Sequence, residues 1–260
     1  AFQDQDYHLR GQAAKTFGES RDVDSALLLP LLDDSDLYVR TLAANALARH
    51  PIPDAVPALL KQAATIQEDQ HYLRHSHSWA LSQCASAQQL AETTNRSGNL
   101  MQRMCCLLAL RHQNSPLIAG YLADPSDWVA TEAARAIHDD FSIAGALPEL
   151  ATALTQQTQQ TEAFTRRAIN ANFRIGTADA ARRVAEFASD HTRSLPMRLE
   201  AIDALRDWSR NEALDRVDGR NRHLPARQLQ PAWIADQLAA VIASPDTALR
   251  TAALLAAGEL

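Results

Sequence analysis

Several things are scarce in this chain. Aromatic residues are only 5% of its 260 residues, with 8 glycines, 11 prolines and 3 cysteines. Three cysteines, Cys84, Cys105 and Cys106, cannot build a disulfide framework, and the adjacent pair reads as small buried apolar side chains. There is no Cys-x-x-Cys-His, so the chain cannot attach a c-type haem by itself. Nor does any apolar run approach the ~18 residues that would span a bilayer, so direct membrane insertion is not expected. Positive charge is also short: the formal net charge is −6, which opposes nucleic-acid binding, where a basic stripe must displace counterions. No glycine-rich phosphate loop, nucleophile elbow or Ser-His-Asp arrangement stands out. The alternation of β-branched residues that marks strands is nearly missing.

What is abundant is Ala and Leu, which lose little side-chain freedom in a helix. They recur in a fixed phrase. An apolar anchor is preceded three places earlier by a capping residue and followed by small residues four and seven places on. The anchor positions are Leu9, Val39, Leu73, Gln102, Val129, Phe164, Met197 and Leu249. Before them stand Asp6, Asp36, Gln70, Asn99, Ser126, Thr161, Ser194 and Asp246; all but Gln70 have the short polar side chains that accept a hydrogen bond from the free amides of a helix start. After them come mostly Ala, at 13, 43, 133, 168, 201 and 253, then at 46, 80, 109, 136, 171, 204 and 256. Positions i, i+4 and i+7 share one helix face, and small residues there let a neighbouring helix come close.

Directly after the anchor an Arg usually stands: Arg10, Arg40, Arg74, Arg103, Arg198 and Arg250. Asp6–Arg10, Asp36–Arg40 and Asp246–Arg250 are expected to pair at i,i+4 spacing. The intervening segments, among them 26–32, 55–64, 117–122, 147–154, 180–187 and 234–242, supply the partner helices. Phrases recurring about every thirty residues signal a helical solenoid. The fold expected is all-α, a HEAT-like right-handed α-α superhelix of about eight helix pairs, forming a single domain over 1–260. A long loop at about 209–231, containing Gly219, Pro225 and several Arg, stretches the last anchor spacing to 52 residues and reads as an interface or an insertion. Ala1 as first residue, with Leu9, Phe17, Leu254 and Leu255 facing out of the end helices, reads as a piece of a longer polypeptide.

Candidates for chemistry are few. His71 and His75 have the i,i+4 spacing of zinc ligands, but His77 falls on the packing face and no third ligand is evident, so no metal and no cofactor is expected. Asn172 stands where other repeats have Leu or Ile and should bridge to backbone at a neighbouring turn. Trp79, Trp128, Trp208 and Trp233 lack regular spacing and read as fillers. Asp33-Asp34 and Asp139-Asp140 follow helix ends. Thr41, Asn45, Trp79, Arg135, His138 and Asn170 are candidate residues of an interaction ridge.

Longer phrases carry a resemblance. They include Tyr72-Leu73-Arg74-His75 with Trp79-Ala80-Leu81, Leu108-Ala109-Leu110-Arg111 with Ser115-Pro116, and Leu122-Ala123-Asp124-Pro125. Arg167-Ala168-Ile169-Asn170-Ala171-Asn172-Phe173-Arg174, Asp207-Trp208, Asp215-Arg216-Val217 and Leu224-Pro225-Ala226-Arg227 follow in order. In that order the chain resembles the helical-repeat middle region of PVC-type haem-binding proteins, a membrane-bound dehydrogenase-like family. The resemblance covers nearly the whole chain and is most specific from Leu100 to Arg227. It implies a sugar-dehydrogenase-like propeller and a cytochrome c domain as partners in the same polypeptide, and a periplasmic location. It implies no catalytic residue here, only a non-catalytic scaffold linking or docking those domains. The alternative is a stand-alone adaptor binding a protein partner on its ridge. An enzyme on a HEAT-like scaffold, such as a DNA glycosylase or bilin lyase, is opposed by the acidic charge in the first case and lacks supporting residues in the second.

Overall fold

The computed structural model describes residues 1–21, 23–96, 99–156, 161–208, 210, 214–222, 224 and 231–259. Its α-helices are α1 (Tyr7–Glu19), α2 (Leu37–Arg49), α3 (Val56–Ala63), α4 (His71–Cys84), α5 (Ala87–Arg96), α6 (Leu100–His112) and α7 (Asp127–Asp139). They continue as α8 (Leu147–Gln156), α9 (Glu162–Ile175), α10 (Ala178–Ser189), α11 (Leu195–Arg206), α12 (Pro231–Ile242) and α13 (Thr247–Glu259). Short 3₁₀ segments Ser25–Asp33, Pro53–Ala55, Pro116–Ala123 and Phe141–Ala146 lie between them. Among the described residues the only β-type pairing is one isolated antiparallel bridge, Leu214 to Asn221. The protein is an all-α, HEAT-like helical-repeat fold.

Two compact units, Ala1–Val129 and Ala130–Leu260, make up the chain. In the first, α1, α2, α4 and α6 stack in succession to form one layer. Residues 25–33, α3, α5 and 116–123 pack behind them as the other. In the second unit α9, α11 and α13 form one layer, and α8, α10 and α12 the other.

The small-residue rows explain this stacking. Ala43, His77, Cys106, Ala133, Ala168, Ala201 and Ala253 are all buried, as are Ala46, Ala80, Ala109, Ala136, Ala171, Ala204 and Ala256. Only the first repeat departs, with Ala13 half-buried and Thr16 exposed. Where α1 meets α2 even alanine is too large. A Cβ on Gly18 would lie 2.8 Å from the Ala46 Cβ and 2.9 Å from its Cα.

Side chains cap most of the second helices as their sequence suggests. Asp6, Asp36, Asn99, Thr161 and Asp246 accept from backbone amides of the first turn. Gln70 and Ser194 make no such bond. Two of the expected partner helices are 3₁₀ rather than α, at Ser25–Asp33 and Pro116–Ala123. Pro30 within the first donates no amide and so breaks i→i+4 bonding there. Helix α5 has no counterpart among the expected segments. Its polar run Ala87–Arg96 hides the apolar stripe, although Leu90 is fully packed.

All three cysteines are buried and unpaired. Trp208 is buried edge-on to Phe173, with ring centroids 5.6 Å apart, while Trp79 and Trp128 are half-buried. The Trp233 side chain lies outside the described residues, as do 209, 211–213, 223 and 225–230 of the expected loop.

Candidate functional site

Two rows of polar contacts tie successive repeats together, one at each end of the stacked helices. At the starts of α1 and α6 the Arg after the anchor reaches forward, whereas Arg74 and Arg250 bond the Glu68 and Ser244 carbonyls just before their own helices. Arg10 Nε and Nη2 clasp both oxygens of Asp34 at 2.7 and 2.8 Å. Arg103 clasps Asp124 in the same way, at 2.7 and 3.2 Å. Each aspartate also accepts from the amide two residues on, Asp36 or Ser126, and so fixes the turn leading into the next helix. This corrects the expected i,i+4 pairing at Arg10: Asp6 is occupied with the His8 amide, and a bidentate partner in the next repeat holds the guanidinium better. Arg198 turns back instead and caps the Ala188 carbonyl at 2.8 Å.

At the helix ends, a donor just inside or past α2, α6 and α9 reaches back to a last-turn or capping carbonyl of the preceding second helix. His50 Nε2 meets the Gly18 carbonyl at 3.1 Å. Gln113 donates to the Ser82 and Ala85 carbonyls at 2.8 Å each. Arg174 donates to the His138 carbonyl at 2.6 Å. These carbonyls have no partner within their own helix, and the negative end of the helix dipole favours such donors.

In the second unit this row grows into a buried cluster. Residues 214–222 fold into a small hairpin built around Asp215. Its Oδ1 accepts from the amides of Val217 and Asp218, and its own amide donates to the Arg220 carbonyl. Gly219 takes a φ of +68°, a conformation L side chains rarely adopt. Asp215 Oδ2 then faces inward. It accepts from Arg174 Nε and from Asn170 Nδ2, both at 2.8 Å. Arg222 lies 3.7 Å from the same oxygen and binds Asp218. Arg220 reaches the Asp139 carbonyl, and Arg216 pairs with Asp207 and Glu200. The basic hairpin is thus seated on helix ends, where carbonyl dipoles and carboxylates offer complementary charge.

His138 is the centre of the cluster and is wholly buried. Its Nδ1 lies 2.7 Å from Asp139 Oδ1, and its Nε2 lies 2.8 Å from Asn170 Nδ2. A carboxylate only accepts and an amide nitrogen only donates, so the neutral ring carries its hydrogen on Nδ1. Burial holds this imidazole below its usual range, against the pull of Asp139 and Asp215. Asp139 is held well below the ordinary carboxylate range by His138 and a bidentate Arg167, despite opposing burial. Asp215 is pulled down to about 2: burial pushes it up, but Arg174 and the two hairpin amides prevail. Burial lowers Arg174 while Asp215 raises it, yet a guanidinium stays protonated throughout.

The remaining candidates are dispersed. Thr41, half-buried on α2, donates to the Leu37 carbonyl, and Asn45 lies a turn further along the same helix. Trp79 is half-buried on α4, and Arg135 is exposed on α7, paired with Glu132 at 3.3 Å. Only His138 and Asn170 meet, and the hairpin covers both.

His71 binds Arg74, His75 stacks edge-on with His112 at 5.9 Å, and His77 points inward to the Leu73 carbonyl. Burial pushes the His77 pKa down to about 4. The three imidazoles diverge, and no group of three His, Cys, Asp or Glu placed to hold a metal occurs among the described residues. Asn172 makes the expected bridge. Its amide donates to the Ala151 and Ala168 carbonyls, and its Oδ1 accepts from Arg183. Burial raises Cys105 to about 12 and Cys106 to about 11, so neither is a ready nucleophile.

Sequence reasoning missed Asp215, Arg174 and Arg222 as a cluster with His138. The one available signal was the density of Arg and Asp in a segment that otherwise read as a loop.

No family model matches the sequence, and no curated protein matches it. Among solved structures the chain is similar to an engineered protein, with 17% identity over 98% of this chain and 75% of that one, at a TM-score of 0.40. It is also similar to the CpcE–CpcF complex of phycocyanin lyase from Nostoc sp. PCC7120, with 21% identity over 79% and 84% and a TM-score of 0.36. Human deoxyhypusine hydroxylase is similar at 15% identity over 98% and 91%, with a TM-score of 0.35. Likeness of this degree carries nothing about activity.

Proposed function

We propose that this chain is a non-catalytic helical-repeat scaffold. It links or docks a dehydrogenase-like propeller and a cytochrome c domain within a periplasmic redox protein. The observation that carries the scaffold reading is how the polar side chains are used. Arg10–Asp34, Arg103–Asp124 and Arg167–Asp139 join one repeat to another, and Arg174–Asp215 fastens the hairpin to a repeat. Such side chains set the spacing and register of helices and leave little to act on a substrate. The outward faces of the terminal helices support docking. Leu9, Leu254 and Leu255 are exposed, and an open groove of about 570 Å³ runs along α1 beside Phe2, Leu9 and Phe17. The dehydrogenase and cytochrome setting rests on the resemblance of the phrases between Leu100 and Arg227.

A stand-alone adaptor is the second reading. Tyr38 and Tyr72 favour it, since they project from equivalent positions of α2 and α4 and Tyr72 is 86% exposed. Of its six ridge candidates, Thr41, Asn45, Trp79 and Arg135 remain at the surface, while His138 and Asn170 are covered.

Antibodies against this segment, used on fractionated cells of the source organism, separate the two. The scaffold reading expects a periplasmic polypeptide well above 28.5 kDa that carries covalently bound haem. A haem-free band near 28.5 kDa overturns it in favour of the adaptor.

A further inference from the structure

The contacts of Asn170 have an unusual economy. One atom, Nδ2, donates one hydrogen to His138 Nε2 and the other to Asp215 Oδ2, each at 2.8 Å. Its carbonyl oxygen Oδ1 is buried and has no hydrogen-bond partner. We propose that the 214–222 hairpin is a proton-sensitive latch, held on α7 and α9 while His138 is neutral and released when the imidazole takes up a proton at Nε2.

The reason is geometric. A proton on Nε2 turns an acceptor into a donor that faces the donating Nδ2. Turning the Asn170 amide over brings Oδ1 to the new N–H and repairs that contact. The same turn sets Oδ1 against Asp215 Oδ2, two acceptors at hydrogen-bond distance. No orientation of Asn170 satisfies a charged His138 and a docked Asp215 together, so one of the two ties from α9 to Asp215 is lost and only that of Arg174 remains.

The charges around His138 come from three elements. Asp139 is its neighbour in sequence on α7, and Arg167 and Arg174 approach from α9. Asp215, Arg220 and Arg222 belong to the hairpin. The carboxylates favour an imidazolium and the guanidiniums oppose it, but burial is the largest influence and keeps the ring neutral below its ordinary 6.5. Departure of the hairpin removes burial and leaves Asp139 in place, so the open form binds the proton more readily. Linkage then weakens docking by up to tenfold for each pH unit below 6.5, until the docked ring also titrates. Asp215 and Asp139 titrate far lower and the guanidiniums far higher, so His138 is the member of the cluster whose ordinary range lies nearest neutral pH.

The test is a pH titration of the intact chain by NMR. It follows the His138 ring nitrogens together with the Val217 and Asp218 amides, which donate to Asp215. The latch expects a neutral Nδ1–H ring at pH 7.5. On acidification the two amide signals should change with the midpoint of the ring. His138→Gln, which keeps an acceptor but cannot titrate, should hold both amides unchanged to pH 5. Asn170→Ala, which removes that tie but leaves Arg174 on Asp215, should move both amides toward the open-hairpin signals at every pH and abolish their dependence on the His138 midpoint. The proposal is overturned if His138 becomes charged while the amides stay still. It is equally overturned if the ring stays neutral to pH 5 with the hairpin unmoved, or if the amides shift equally in His138→Gln. Should His138→Gln fail to fold, coincidence or divergence of ring and amide midpoints in the native chain decides the matter.

Discussion

Two glycines occupy the same place in their helices, one residue before the end, and should respond oppositely to alanine. Gly18 in α1 faces α2, where an added Cβ would sit 2.8 Å and 2.9 Å from Ala46 Cβ and Cα. Carbon atoms pack best at about 3.5–4.0 Å, so the helices must part by something near 0.7 Å. One of the opposing atoms is backbone and cannot rotate away. Overpacking of this kind costs about 1–3 kcal/mol, against a helix-propensity gain of about 0.5 kcal/mol near a helix end. The net expectation for Gly18→Ala is a loss of about 0.5–2.5 kcal/mol. Gly258 in α13 has nothing within 4 Å of an added Cβ, so Gly258→Ala should gain about 0.5 kcal/mol from propensity alone. Gly11→Ala is intermediate. Its Cβ would meet the Tyr38 ring at 2.5 Å, but that ring is 43% exposed and can swing out. Because terminal repeats open locally, amide hydrogen exchange in peptides covering α1 and α13 is the right assay. A loss of ~1.4 kcal/mol appears as tenfold faster exchange of α1 in Gly18→Ala. Equal or greater protection of α1 in that variant would refute close backbone approach as the reason for glycine there.

Asn172→Leu replaces a satisfied amide with the residue type other repeats use. It strands Arg183 Nε and the Ala151 carbonyl and should lower stability by about 1–3 kcal/mol in urea denaturation; an unchanged midpoint would refute this. Arg103→Met leaves Asp124, whose side chain is 2% exposed, without its partner, for a loss of about 3–5 kcal/mol. Adding Asp124→Asn should recover part of that loss, and a purely additive double variant would count against the clasp. In His138→Gln, whose hairpin stays docked on acidification, acid should act through Asp215. Its carboxyl is pulled down from 3.8 to about 2, so its stabilisation is fully present above pH 3.8 and disappears as pH falls through 2. The size is about 2 kcal/mol, and thermal melts with Asp215→Asn added to that variant should lack that part of the pH dependence.

The helical layers were legible because a local rule generates them. Capping residues, a small face at i+4 and i+7, and Ala- and Leu-rich spacing state which segments are helices and which face turns inward. Asn172 was legible for a related reason: an amide on an apolar face must find backbone partners nearby. The Arg after each anchor was visible, but its partner was not. Periodicity within a helix favoured Asp6 for Arg10, whereas the choice of Asp34 depends on how far the next repeat is turned.

By itself the sequence determined that helices form, where most begin, and which small side chains lie between them. Those outcomes depend on residues within a turn or two of each other, where bonding and side-chain entropy act locally. Only the tertiary structure decided the long-range pairings. It placed Asp215 between Asn170 and Arg174, some forty residues earlier, and it made His138 a buried neutral ring rather than a surface ridge residue. Burial and the geometry of a shared carboxylate are properties of the assembled helices, and no spacing along the chain encodes them.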